Sequence, residues 1–244
     1  MSTHSYQPNG QSHGDSTPER AVSGRSPEIA AARCLAFAVL SELMASPHDV
    51  ESALRDSSEA IDLSELPYQL DEFATLVDEF RSAPADELKR IYSSMFEVGS
   101  DGPPIPVRED LQTGQKAGVR EELVRFYEYF GYELGEKFAW APDHLSVELE
   151  FMHYLTYAEA SVLHEHEAAA DVDPESFQLA QLDFCERHLI NWVPKLAFDV
   201  NASNSDSFYS RVTRLLADFL QADFAWQAGT VADAAQPEPP AASD

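Results

Sequence analysis

Lysine is nearly missing from this chain. Its 244 residues hold four (Lys89, Lys116, Lys137 and Lys195) among 16 basic side chains, against 43 acidic ones, for a net charge of −27. No cluster of Lys and Arg exists that could track a phosphate backbone, and the net charge repels nucleic acid and acidic lipid surfaces alike. Cysteine is almost as scarce. Cys34 and Cys185 lie far apart, each inside a helical pattern, so buried free thiols are expected rather than a disulfide. No run of eighteen apolar residues occurs, so no membrane span or stable insertion is expected. The polar N-terminus lacks the apolar core of a signal peptide, which points to the cytoplasm. Also missing are a P-loop, a Gly-rich dinucleotide turn, a CxxC pair and a nucleophile elbow. Strand alternation, a βαβ rhythm and internal repeats are absent too.

The apolar fraction is 44%, enough for one sizeable core and too well patterned for a disordered acidic chain. An acidic, lysine-poor surface stays hydrated and dispersed where salt screens self-repulsion, so a salt-rich cytoplasm is the expected setting. Residues 1–25 and 227–244 read as disordered tails. Residues 26–226 read as one all-α domain, a bundle of about eight helices. Ser26-Pro27-Glu28 starts the first with a capping hydroxyl, a first-turn proline and an acid at the positive helix end. Helical spacing predicts further helices from Pro47, over 66–80, from Pro84 to near Phe96, and over 116–134. Others follow over 142–167, 177–198 and 208–226. The helix over 142–167 has two apolar rows, Leu145, Leu149, Met152, Leu155 and Val147, Phe151, Tyr154, Ala158. Such a helix belongs at the centre of the bundle.

Residues 98–114 form a long connection stiffened by Pro103, Pro104 and Pro106 and carrying Ile105 and Val107. A loop of that length reads as an ordered functional segment lying on the bundle, or as a crossover between two halves that could exchange in a dimer.

Three constellations bear on chemistry. His164-Glu165-His166 is metal-like at first sight, but side chains two apart on a helix diverge, so a solvated helix end is expected. Glu150-x-x-His153 is half of a di-iron carboxylate motif, and no second half appears; an i, i+3 polar contact is the plainer reading. Asp143-His144 heads the long helix. Asp143 can cap free amides there. Glu148, one turn on, can pair with a protonated His144, which makes that histidine a candidate for binding or pH response.

These pieces resemble a family. Tyr92-Ser-Ser-Met95-Phe96, followed by Pro103-Pro104-Ile105-Pro106-Val-Arg-Glu109, is similar to the Tyr-x-x-Leu-Phe and Pro-x-x-Pro-x-x-Glu region of the TorD/DmsD family. Pro142-Asp143-His144-Leu-Ser-Val-Glu148-Leu-Glu150-Phe151-Met152 resembles its Pro-Asp-His signature. The segments Phe184-x-x-x-His188-Leu189-x-x-Trp192-x-Pro194 and Phe208-Tyr209-x-x-Val212 resemble its last helices. The resemblance spans about 30–225. The chain departs from the pattern at Met95, where leucine is usual, and at Val107-Arg108, where an aromatic residue often stands.

The resemblance implies a redox-enzyme maturation chaperone and not an enzyme. Its expected partners are the twin-arginine leader and the catalytic subunit of a molybdopterin oxidoreductase of the dimethyl-sulfoxide or trimethylamine-N-oxide reductase type, with export delayed until the cofactor is in place. The chaperone itself needs no cofactor or metal, and either a monomer or a domain-swapped dimer fits. Guanidinium forks prefer carboxylates, which Glu109, Asp143 and Glu148 could supply beside His144. The apolar part of a leader wants a groove, expected along Tyr92, Met95, Phe96, Ile105 and Pro106. The alternatives are a di-iron-like helical enzyme and a generic helical scaffold.

Overall fold

The computed structural model describes residues 26–48, 52–99, 102–114, 117–135, 141–165 and 174–234. The expected tail over 1–25 and the last ten residues of the other tail lie outside them, as does His166. Among the described residues ten α-helices follow in order: α1 (Pro27–Met44), α2 (Ala53–Asp56), α3 (Phe73–Ser82), α4 (Ala85–Tyr92), α5 (Glu109–Gln112), α6 (Val119–Phe130), α7 (Leu145–Glu165), α8 (Pro174–Phe184), α9 (Val193–Ser203) and α10 (Phe208–Ala234). Two of them, α2 and α5, are single turns of four residues. Among the described residues there is no strand, only an isolated antiparallel bridge between Arg108 and His144. No described helix is long and apolar enough to cross a membrane.

The first helix starts where its cap requires. Ser26 Oγ accepts from the Ile29 amide at 3.2 Å and Pro27 occupies the first turn. Helix α7 is central: Leu145, Val147, Leu149, Phe151, Met152 and Leu155 are all buried, and α1 runs beside it.

Several boundaries differ from the sequence expectation: the helix expected from Pro47 is the single turn α2, starting at Ala53, and the one expected over 116–134 is α6, Val119–Phe130. The helix expected from Leu66 starts at Phe73, because Glu72 at its N-cap takes a left-handed backbone, φ 65°, that interrupts helical geometry. The helix expected over 177–198 is two, α8 and α9, joined through a π turn at Cys185–Leu189; Pro194 lies in the first turn of α9, where its missing amide costs nothing. The central helix starts at Leu145 rather than Pro142, since a turn, closed by the His144 amide on the Ala141 carbonyl at 3.1 Å, leads into the Arg108–His144 bridge. The last helix runs on to Ala234, past the expected boundary at 226. Its extension is anchored by Gln227, fully buried, which donates to Asp223 Oδ2 at 2.7 Å.

One buried polar network ties the bundle. Arg33 on α1 has no solvent exposure. Its Nε donates to Asp223 Oδ1 of α10 at 2.6 Å, Nη1 to Glu159 Oε2 of α7 at 3.0 Å, and Nη2 to Gln181 Oε1 of α8 at 2.6 Å. The Tyr68 hydroxyl adds a 2.6 Å bond to Asp223. Each partner satisfies a charge that burial would otherwise make costly. Both cysteines are free and buried.

Candidate functional site

The head of α7 is clamped to the proline loop. The Glu109 amide donates to the Asp143 carbonyl at 3.0 Å and the Leu145 amide to the Val107 carbonyl at 3.0 Å, one on each side of the Arg108–His144 bridge. The loop is fixed a second time by the Ile105 amide, which donates to the Met95 carbonyl at 3.1 Å, and by Gln112 Nε2, which donates to the Pro106 carbonyl at 2.8 Å. From 102 to 114 the long connection is thus ordered on the bundle. Met95 belongs to a π turn, Ser93–Glu97, that follows α4. Such turns insert one extra residue and recur at functional sites.

Asp143 is fully buried, and its carboxylate collects cations. Arg108 Nε lies 3.3 and 3.2 Å from its two oxygens and Nη2 lies 3.0 Å from Oδ1. Arg120 Nε, from the first turn of α6, is 3.5 Å from Oδ1. The Asp110 amide donates to Oδ2 at 3.3 Å, and Arg108 Nη2 also reaches Asp110 Oδ2 at 3.2 Å. Burial alone would raise the Asp143 carboxyl; hydrogen bonds from Asp110 and Arg108, with the Arg108 charge, outweigh it and hold the group below the usual range. Asp110 moves the other way, raised by burial first and then by the neighbouring Asp143 carboxylate.

His144 is half-buried. Its Nδ1 accepts from the Ser146 amide at 3.2 Å and lies 2.8 Å from Ser146 Oγ, which leaves the proton on Nε2, 3.4 Å from the Tyr92 hydroxyl. That hydroxyl donates to the Met44 carbonyl at 3.2 Å. Burial first of all lowers the imidazole to about 4, against the pull of Asp143. The pairing expected between His144 and Glu148 does not form. His144 precedes the helix and its carbonyl accepts the first helical amides, so the side-chain spacing of a helix does not apply to it. Glu148 instead turns inward: fully buried, with neither carboxyl oxygen hydrogen-bonded. Burial, then Glu109 and Asp143, push its carboxyl well above the usual range.

Glu109, also buried, faces α8 and the turn after it, where its Oε2 lies 2.9 Å from His188 Nδ1. His188 Nε2 is buried without a partner. The Trp192 indole donates to the His188 carbonyl.

The apolar members of the expected groove lie together, but as core. Tyr92, Met95, Phe96 and Ile105 are buried and Pro106 is half-buried. Tyr92 packs edge-on to Phe96 at 4.9 Å, and each packs against Tyr209 of α10 at 5.4 Å. An aromatic trio gains more by enclosing itself than by lining an open channel, which is why the sequence pattern of a groove becomes a floor. Likewise Glu109, Asp143 and Glu148 are buried rather than held out to solvent.

Arg108, Asp110, Arg120 and His188 complete the site, and only Arg108 and His188 carried a signal in the sequence, as parts of the quoted motifs. Glu150 is exposed, while His153 Nδ1 lies 3.0 Å from the Cys34 carbonyl and 3.2 Å from its sulfur, so the two do not form the expected i, i+3 contact. Among the described residues no group of three His, Cys, Asp or Glu is placed to hold a metal ion.

The family described as the nitrate reductase delta subunit matches residues 60–197, a span that contains the proline loop, the head of α7 and His188. The selenate reductase assembly chaperone protein of Thauera selenatis is 34% identical over 140 residues, 56% of this chain and 68% of that protein. The perchlorate reductase assembly chaperone protein of Dechloromonas aromatica is 31% identical over 139 residues, 56% of this chain and 60% of its own. The chaperone protein TorD of Vibrio parahaemolyticus is 28% identical over 109 residues, 45% of this chain and 48% of its own. The chain thus covers less than two thirds of the latter two. No solved structure matches the chain significantly.

Proposed function

We infer the function from one premise: this chain belongs to the nitrate reductase delta subunit family, that of the TorD-type redox-enzyme maturation chaperones. It is an assembly chaperone and not an enzyme. We propose that its client is the catalytic subunit of a molybdopterin oxidoreductase, that it works in a salt-rich cytoplasm, and that it holds the client's twin-arginine leader until the cofactor has been inserted.

The observation that carries this reading is the guanidinium chemistry around Asp143. A buried carboxylate, set at the head of the central helix and fixed by backbone bonds on both sides, already holds the Arg108 fork at 3.0 to 3.3 Å, with Arg120 at 3.5 Å. Such a carboxylate matches an arginine pair in geometry as well as charge. The leader's apolar stretch takes the edge of the proline loop. There Pro106 is half-buried and Val98 is exposed, with Tyr92, Met95, Phe96 and Ile105 packed beneath. In concentrated salt that apolar contact adds affinity that screening does not weaken.

Affinity purification of the tagged chain from cells that make the oxidoreductase tests the assignment. Recovery of a molybdoenzyme precursor with its leader uncleaved is the expected result. Recovery of only the mature enzyme, or of no such subunit when it is demonstrably made, contradicts it.

A further inference from the structure

Asp143 is an acid that is already satisfied. In a chain with 43 acidic and 16 basic residues, this one carboxylate gathers two guanidinium groups from two separate elements. We propose that Arg108 and Arg120 are internal stand-ins for the arginine pair of a client leader, so that leader capture is an exchange of arginines at Asp143 and Asp110. The inference rests on the leader-binding reading and adds how the site is kept closed.

The geometry supports an exchange over simple addition. The carboxylate has no exposure of its own, whereas the Arg108 side chain is 21% exposed and that of Arg120 43%. An incoming cation therefore meets the two arginines before it meets the acid. Displacing them uncovers two carboxylates, not one, because Arg108 Nη2 bridges Asp143 at 3.0 Å and Asp110 at 3.2 Å. Two acids matched to two guanidinium groups is the charge count of an arginine pair. The backbone under Arg108 is held by the bridge to His144. The side chains can thus swing out while the loop stays in place. A lysine pair fits the vacated site less well, since an ammonium cannot reproduce the two-pronged contact.

The consequence is measurable in affinity and in rate. Removing a stand-in leaves the acids short of cations before binding, so a leader gains more on arrival. For a synthetic leader peptide, with an arginine pair followed by its apolar stretch, titrated into the full chain, Arg120→Gln is expected to tighten binding at least threefold. Arg108→Gln is expected to tighten it at least tenfold. In stopped-flow, the observed association rate of the unaltered chain should level off at high peptide concentration, because departure of the internal arginines becomes limiting; in Arg108→Gln it should stay linear. Arg214→Gln removes the same charge at an exposed pair with Glu72, 3.5 Å apart on another face, and should change neither quantity.

Unchanged or weaker binding in both Arg108→Gln and Arg120→Gln, with the unaltered chain binding well, overturns the exchange and leaves the leader reading intact. An equal gain in Arg214→Gln overturns it too, by tracing the effect to net charge. Equal gains for a lysine-pair peptide do the same. If neither the unaltered chain nor any variant binds the peptide, the leader reading itself fails. Should Arg108→Gln not fold, Arg120→Gln and the rate plateau of the unaltered chain decide the matter alone.

Discussion

Arg108 grips Asp143 through both carboxylate oxygens, with contacts of 3.0, 3.2 and 3.3 Å, although the two residues come from a proline loop and a helix head. The pair thus neutralises a buried carboxylate where an irregular segment meets the head of the central helix. Removing one partner of a buried pair leaves the other uncompensated. Arg108→Ala is expected to destabilise the fold by about 2–3 kcal/mol, less than for a wholly buried pair because Arg120 remains nearby and Arg108 is partly exposed. The check is urea denaturation at constant salt; a loss under about 0.5 kcal/mol contradicts the clamp.

Glu148 gives the opposite sign. Its carboxyl is buried without a hydrogen bond and is raised well above its usual 4.5. Above pH 4.5 the unfolded chain loses this proton while the folded chain keeps it, so each pH unit from there up to the folded value costs about 1.4 kcal/mol. Glu148→Gln removes that cost. The variant is expected to unfold at a higher temperature than the unaltered chain at pH 7.5, with the difference vanishing below about pH 4. A lower melting temperature at pH 7.5 would mean that the charged form is wanted.

His144 governs the acid limb. Its imidazole is lowered to about 4, from an ordinary 6.5, chiefly by burial. The fold therefore favours the neutral ring: the stability it contributes is present above pH 6.5 and is lost as pH falls toward 4, by about 1–3 kcal/mol in all. NMR titration should place the His144 midpoint near 4, and His144→Gln should flatten the decline between pH 6.5 and 4. A midpoint near 6.5 contradicts the assignment of Nδ1 as an acceptor.

The helical bundle was legible because apolar residues at a 3.6 spacing must share a face, as the two rows of α7 do. The site was legible only as a set of residues. Tyr92, Phe96, Glu109, Asp143 and Glu148 do come together, yet a local pattern says nothing of which side of a cluster solvent occupies. Packing by Tyr209 from the last helix closes the aromatic trio, and that contact is far away in sequence. Arg120 was missed for a similar reason, since nothing near it in the chain marks it as a partner of Asp143. The break between α8 and α9 was hidden by a π turn, which keeps an apolar pattern running while adding one residue.

The Arg33 network separates two kinds of loss. Asp223→Ala leaves Arg33 buried with half of its counter-charge gone and is expected to cost about 3–5 kcal/mol. Tyr68→Phe removes one 2.6 Å bond to the same acid and is expected to cost about 1–2 kcal/mol. Denaturation of both variants checks the ratio; equal losses would show that the hydroxyl and the charge pair act as one unit.

We propose that this chaperone holds an arginine-pair leader at the head of α7. The most direct test is calorimetric titration of the full chain, in concentrated potassium chloride, with leader peptides carrying either an arginine pair or a lysine pair. The arginine peptide is expected to bind at least tenfold more tightly than the lysine peptide, and Asp143→Asn to abolish the difference. Equal affinities for the two peptides, or a preference that survives Asp143→Asn in a folded protein, contradict it.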